Sequence, residues 1–214
     1  MPARRCTRPL LRALAATLAC VPASFAEDPG ASGISLSYIH LLAGEMQHAS
    51  GDQSWASGRR LELQFRDYYF SQATHHPFYE LGFLLENHEG EVGGVKVEAE
   101  TIGLKAAIGS AIPLWHDREH HAGLAPQFAV HVGRMTLDSS AAAARVSDEA
   151  TRYGASLGID LWATFAGSMT VGTGPFVSYW RTDEIDAVNS AGATVHAAAS
   201  GWDVGARMLI GVIF

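Results

Sequence analysis

Cysteine is nearly absent: Cys6 and Cys20 are the only two among 214 residues, and both lie within the first 26. Beyond them no disulfide can form, so a domain there must be held by backbone pairing and packing alone. Long apolar runs are missing too. No stretch approaches the roughly 18 to 20 residues that a membrane helix needs, which excludes helical spans. Positive charge is scarce, with 15 Lys and Arg against 22 Asp and Glu. That balance argues against nucleic acid, whose phosphates demand a basic surface.

The front of the chain has the three-part layout of a secretory signal peptide. Arg4, Arg5, Arg8 and Arg12 form its basic end, Leu14 to Val21 its apolar middle, and Ser24-Phe25-Ala26 its small-residue cleavage site. Cys20 raises a lipoprotein alternative, but Thr17 stands where a lipobox has Leu. The expected division is therefore residues 1–26 as a cleaved signal peptide and 27–214 as one domain. Its 188 residues carry 11 basic against 22 acidic side chains, a net charge of −11.

Within 27–214 the recurring signal is period-two alternation in segments of about ten residues, separated by clusters of Gly, Asp, Asn and Ser. Eight such segments can be marked. In Gly58 to Phe70, Leu61, Leu63 and Phe65 alternate with Arg60, Glu62, Gln64 and Arg66. Tyr79 to Glu86, Leu124 to Gly133 and Arg152 to Leu161 follow the same rule, and a shorter first segment spans Ile34 to Tyr38. Met169 to Tyr179 is interrupted by Pro175, which removes a ladder donor and suggests a bulge or strand end.

The fourth segment is irregular, because Val95 and Val97 share one parity while Ile102, Leu104, Ala106 and Ile108 take the other. A bulge near Ala99 to Thr101 would explain this. The favoured reading puts the earlier part in a loop above the membrane. In the eighth segment Trp202, Val204, Ala206, Met208, Ile210, Val212 and Phe214 form one face and Asp203, Gly205, Arg207, Leu209 and Gly211 the other.

Strands can cross hydrocarbon only if the sheet closes on itself, since every backbone group must be paired. The expected fold is all-β, an eight-stranded antiparallel up-and-down transmembrane β-barrel. Arg60, Arg66, Lys105, Arg152 and Arg207 would then share a narrow lumen with Glu62, Glu80, Glu86, Asp160 and Asp203. Five charges of each sign can pair into a network that plugs the interior. Tyr38, Tyr69, Tyr79, Trp162, Tyr179 and Trp202 fit interfacial girdles. Long outer loops are expected at Ala43 to Ser57, Asn87 to Val95, Thr136 to Glu149 and Thr182 to Ala198. Shorter turns are expected at Ser71 to Pro77, Trp115 to Ala122 and Ala166 to Gly167.

In this architecture, alternation and terminal strand the chain resembles the small eight-stranded outer-membrane barrels of Gram-negative bacteria, of the OmpA and OmpX type. The resemblance covers essentially all of 27–214 and is not specific to one subfamily. It implies that the face from Trp202 to Phe214 is an insertion signal read by the barrel-assembly machinery. It also implies outer-membrane lipid and lipopolysaccharide as surroundings.

Some barrels of this size act on lipid A through a Ser nucleophile activated by His. The short motif of the deacylases, His-x-Ser-Asn, is not found: His196 reaches Ser200 only four residues on, and His131 has Gly133 at the matching place. His40 shares the outward parity and could face headgroups. His75, His76, His116, His120 and His121 gather in two expected turns without the spacing of a fixed metal site. Asp148, Glu149, Asp183, Glu184 and Asp186 make the outer loops acidic.

The expectation is accordingly a barrel with a structural or surface-interaction role, a plugged lumen and long acidic outer loops, without catalytic residues, cofactor or metal. The alternatives are a lipid-modifying enzyme, a narrow channel for small solutes, and a soluble lipocalin-like barrel. The surface partner is left open.

Overall fold

A computed structural model describes residues 32–68, 76–92, 94–116, 121–141, 144–166 and 168–214. The expected signal peptide at 1–26, together with Tyr69, His75 and His120, lies outside them. Eight strands follow one another: β1 (Ser32–Gln47), β2 (Gln53–Tyr68), β3 (His76–Val92), β4 (Val95–His116), β5 (His121–Ala141), β6 (Ala144–Phe165), β7 (Met169–Val188) and β8 (Thr194–Ile213). Each pairs antiparallel with its sequence neighbours, and β8 returns to β1 to close the ring. The fold is an eight-stranded up-and-down antiparallel β-barrel.

The strands are 16 to 22 residues long, whereas about 9 to 11 tilted residues suffice to cross a bilayer. The surplus corrects the loop assignment. The four segments expected as long outer loops are mostly strand among the described residues, with 48–52 separating β1 from β2 and 189–193 separating β7 from β8. The residues that were to make acidic loops, Asp148, Glu149, Asp183, Glu184 and Asp186, therefore sit on β6 and β7.

The reason is visible on β4. Pairing with β3 runs from Val95 to Ala111 without a register shift, so there is no bulge at 99–101 and no loop before it. Odd positions point inward from Val95 to Ala111, with Val95, Val97, Ala99, Thr101, Lys105 and Ala107 all buried. Even positions point outward, first Lys96, Glu98 and Glu100, then Ile102, Leu104 and Ile108. The phase holds until the register shift between Pro113 and Trp115; what changes, at Glu100 to Ile102, is which face is apolar.

This inversion divides the barrel into two halves. In the half carrying both described chain ends, the outer face is apolar: Leu81, Phe83, Leu104, Val130, Leu157 and Ile210 are each about half to two-thirds exposed. Its interior carries buried charge beside two small apolar clusters, one of Ile39, Leu41 and Phe176 and one of Phe78, Ala111 and Ala125. In the outer half the arrangement is that of a water-soluble barrel. Met46, Val95, Val97, Met135, Leu137, Trp180, Ile185 and Ala187 form one buried cluster, and charged side chains face out.

Two further expectations change. Pro175 neither bulges nor ends β7, whose pairing with β8 continues through Pro175 and Ala206. On its β6 side the ladder instead skips from Gly158–Phe176 to Leu161–Thr173 without changing register. Trp162 is no girdle residue, since it turns inward against Phe78, Ala111 and Ala125. Tyr38, Tyr179 and Trp202 do face outward, and Trp202 Nε1 donates to Glu45 Oε2 at 3.2 Å.

Candidate functional site

Two polar constellations stand out, one inside the barrel and one on its outer rim. The inner one is contributed by β2, β3, β4, β6 and β8, whose inward positions in the apolar-faced half carry charge. All ten charged residues singled out from the sequence are at most 8% exposed.

They form one connected chain. Arg66 Nη2 donates to Glu80 Oε2 at 2.9 Å, and Lys105 Nζ bridges Glu80 Oε1 and Glu62 Oε2 at 2.8 Å each. Arg60 lies between Glu62 and Glu86 and pairs closely with the latter. Arg152 pairs with Glu86 and approaches Asp203 at 3.6 Å. Arg207 reaches Asp160 at 3.2 Å and Glu62 at 3.9 Å. Five cations and five carboxylates thus neutralise one another away from water, the condition under which buried charge is tolerated.

Several partners were not anticipated. Phe176 lies under both Arg60 and Arg207, with guanidinium carbons 4.8 and 5.6 Å from its ring centre. Arg66 stacks on Phe78 at 4.1 Å and Arg152 on Trp180 at 4.5 Å. Each such stack contributes about 2 kcal/mol when desolvated. Their signal was parity: Phe176 shares the face of Gly174 and Ser178, which alternation already marked as the inner one. Polar side chains complete the lining. Gln127 Nε2 donates to Asp160 at 2.7 Å, and His88 Nε2 contacts Glu86 Oε1 at 2.5 Å.

The outer rim is built differently. Above Arg152–Thr182 no pairing joins β6 to β7, and the β7–β8 hairpin is tied by side chains instead. The Val188 amide donates to Ser139 Oγ and the Asp186 amide to Asp148 Oδ2, both at 2.9 Å. His48, buried in the β1–β2 turn, completes the tie. Its Nδ1 accepts from the Ser50 amide, which leaves Nε2 as the donor to the carbonyls of Ile185 and Ala197 at 3.1 Å.

On the exposed side of the same hairpin, His196 stands between Asp186 (2.7 Å) and Glu184 (3.0 Å). The hydrogen bond to Asp186, followed by that to Glu184, raises its pKa. Two groups bring three potential metal-binding atoms within 4.8 Å of one another: Glu86, His88 and Asp203, and Asp148, Asp186 and His196. In the first, Arg60 and Arg152 already satisfy Glu86 and repel a cation. In the second, the favoured imidazolium competes with a metal. His76 and His121 join no such group among the described residues.

Two histidines approach a serine hydroxyl: His48 Nδ1 lies 2.7 Å from Ser50 Oγ in the β1–β2 turn, and His131 Nε2 lies 3.2 Å from Ser178 Oγ, both buried in the lumen. His40 points outward from β1, opposite Arg59 on β2. The face from Trp202 to Phe214 lies on the outward side of β8 and adjoins β1 and β7.

The likeness is to small outer-membrane β-barrels. Ail of Yersinia pestis is 13% identical, with 85% of this chain and 99% of that one covered at a TM-score of 0.44. Neisserial surface protein A is 9% identical, with 83% and 97% covered at 0.43. The outer membrane enzyme PagL is 12% identical, with 82% and 97% covered at 0.31. No family model matches the chain, and no curated protein does. Such distant likeness concerns architecture alone, which the closed ring already establishes.

Proposed function

We propose that this chain is an integral outer-membrane β-barrel of a Gram-negative bacterium, with a structural or surface-interaction role and a lumen plugged by its own charges. The observation that carries the reading is the inverted half. A belt of exposed Leu, Ile, Val and Phe encircles a buried ion network, an arrangement stable only where the surroundings are apolar.

A soluble lipocalin-like barrel would place the same faces the other way round. Residues 1–26 supply export and are removed, and the outward face of β8 up to Phe214 is what the assembly machinery reads. The outer half supplies the interaction surface. Its acidic residues are fixed on strands, so a partner meets a rigid rim, with lipopolysaccharide surrounding its base. Nucleic acid is not a partner.

The enzymatic alternative keeps its place as the second reading, because barrels of this size include enzymes. Against it, His131 and Ser178 are buried out of a lipid's reach, and the His48 that meets Ser50 is itself buried and engaged by the carbonyls of Ile185 and Ala197. The channel alternative requires a path through Glu62, Glu86, Arg60 and Arg152, which are engaged with one another.

Fractionation with a gel-mobility test decides the main claim. The expected result is recovery in the outer membrane with a mobility shift between unheated and boiled samples. Release with the soluble periplasm and no shift would overturn it. Steady conductance in planar bilayers would remove the plug, and an altered lipid A acylation pattern on expression would replace the structural role with an enzymatic one.

A further inference from the structure

Prolines recur on the lipid-facing wall with a regularity that alternation does not require. Pro77, Pro126 and Pro175 are each 49 residues apart. The pairing register sets them on one cross-strand row, since Pro77 opposes Ser110, Pro126 opposes Ile159 and Pro175 opposes Ala206. Between these pairs the ladder is interrupted twice. It is missing between 110–111 and 125–126, and again between 159–160 and 174–175. A closed barrel has no edge on which a proline is free of cost, so each one forfeits a ladder bond.

The row borders a groove of about 930 Å³. One wall is the proline row and the other is the outward row of Ile108, Phe128, Leu157, Val177 and Val204. Gly109 and Gly158, whose missing side chains would point into the barrel, contribute backbone to its floor. Polar lining is confined to Ser110 and Gln127. Opposite rows of long side chains would close the gap between them; on the proline row only Ile159 is long, and the flat proline rings and Ser110 leave the gap open on either side of it.

Given the membrane reading above, on which this inference rests, we propose that the groove seats one acyl chain of a phospholipid from the periplasmic leaflet. The groove is continuous with the lipid-facing belt, which supplies the class of occupant. It crosses six strands, β3 to β8, or about 24 Å of wall at the usual interstrand spacing. A rigid partner, including a second copy of this convex barrel, touches only a few neighbouring strands, whereas a flexible hydrocarbon chain follows the curvature. Its low end lies at Pro77, the second residue of β3, on the side of the described chain ends, and it rises to Val204 in the middle of β8. A headgroup at the periplasmic interface beside His76 therefore delivers its chain into the groove from below.

The test is photolabelling of the protein, purified from outer membranes and returned to phosphatidylethanolamine vesicles that contain a trace of phospholipid with a diazirine on one acyl chain. Labelling of Ile108, Phe128, Leu157 and Val177 is expected in several-fold excess over the similarly exposed Leu81, Phe83 and Ile210. Val177→Trp, and independently Val204→Trp, should fill the groove and abolish that excess, whereas Val171→Trp outside it should not. Uniform labelling around the belt, an excess that survives both groove variants, or barrel-to-barrel adducts at the groove would overturn the seat while leaving the membrane reading intact. Loss of the gel-mobility shift together with all labelling would overturn the membrane reading itself.

Discussion

The two halves of this barrel are made of the same strands in the same register, yet they obey opposite rules. On β4, Glu98 and Glu100 face outward and Val97 and Ala99 inward; a few residues later Ile102 and Leu104 face outward and Thr101 and Lys105 inward. Backbone geometry is indifferent to this reversal, because period two only says that neighbours point opposite ways. The surrounding medium decides which face is paid for by burial. In the outer half that medium is water and the core is Leu137, Ile185 and Trp180. In the other, on the function proposed above, it is hydrocarbon, and the interior must satisfy charge with charge.

The comparison is broken most severely from inside the ion network. Glu86→Gln removes the carboxylate shared by Arg60, Arg152 and His88 and leaves two guanidiniums facing one another in a closed space. Removing one partner of a buried pair costs about 3–5 kcal/mol, and the midpoint of urea unfolding in detergent, followed by the gel shift, should fall accordingly. An unchanged midpoint would mean that the network contributes little.

The matching cut in the outer half is Leu137→Ala, with an expected cost of about 3 kcal/mol for the cavity. Here hydrogen exchange should rise in the outer ends of β4 to β7 while the membrane half stays protected. Uniform loss of protection would show that the halves are not separable.

A sharper contrast comes from two substitutions six residues apart on the same face of β4. Leu104→Arg places a cation toward lipid, at a cost of about 2–4 kcal/mol near the midplane. Glu98→Leu faces water and should stay within about 0.5 kcal/mol. Equal effects at the two positions would contradict the boundary at 100–102.

The smallest effect belongs to the rim. Asp186 and Glu184 raise the pKa of His196 above its ordinary value of 6.5, so the imidazolium steadies the β7–β8 hairpin fully below that value. The contribution is lost as pH rises through the raised pKa. Limited proteolysis of the hairpin should therefore quicken from mildly acidic to alkaline pH, and His196→Gln should remove the dependence.

Much of the membrane half was legible beforehand, because alternating charge and apolar side chains name the two faces of each strand directly. Arg60, Glu62 and Arg66 against Leu61, Leu63 and Phe65 could be sorted without coordinates. The outer half was misread as loops for the same reason. Val95, Ala99 and Leu137 fall on the parity that is polar lower down, and a reader who holds the faces constant sees the pattern dissolve. Phe78, Phe176 and Trp180 were missed because an aromatic on the inner face contradicts the expectation of a polar lumen, until guanidiniums are seen stacked upon it.

By itself the sequence determined the number of strands, their antiparallel succession, the split of each into two faces and the charge carried by the lumen, since these follow from a local period of two residues. Only the tertiary structure decided which charge meets which, how far the strands run beyond the polarity reversal, that Trp162 turns inward, and that three prolines spaced 49 residues apart share one row. Those outcomes depend on the register between strands, and register is settled by closing the ring.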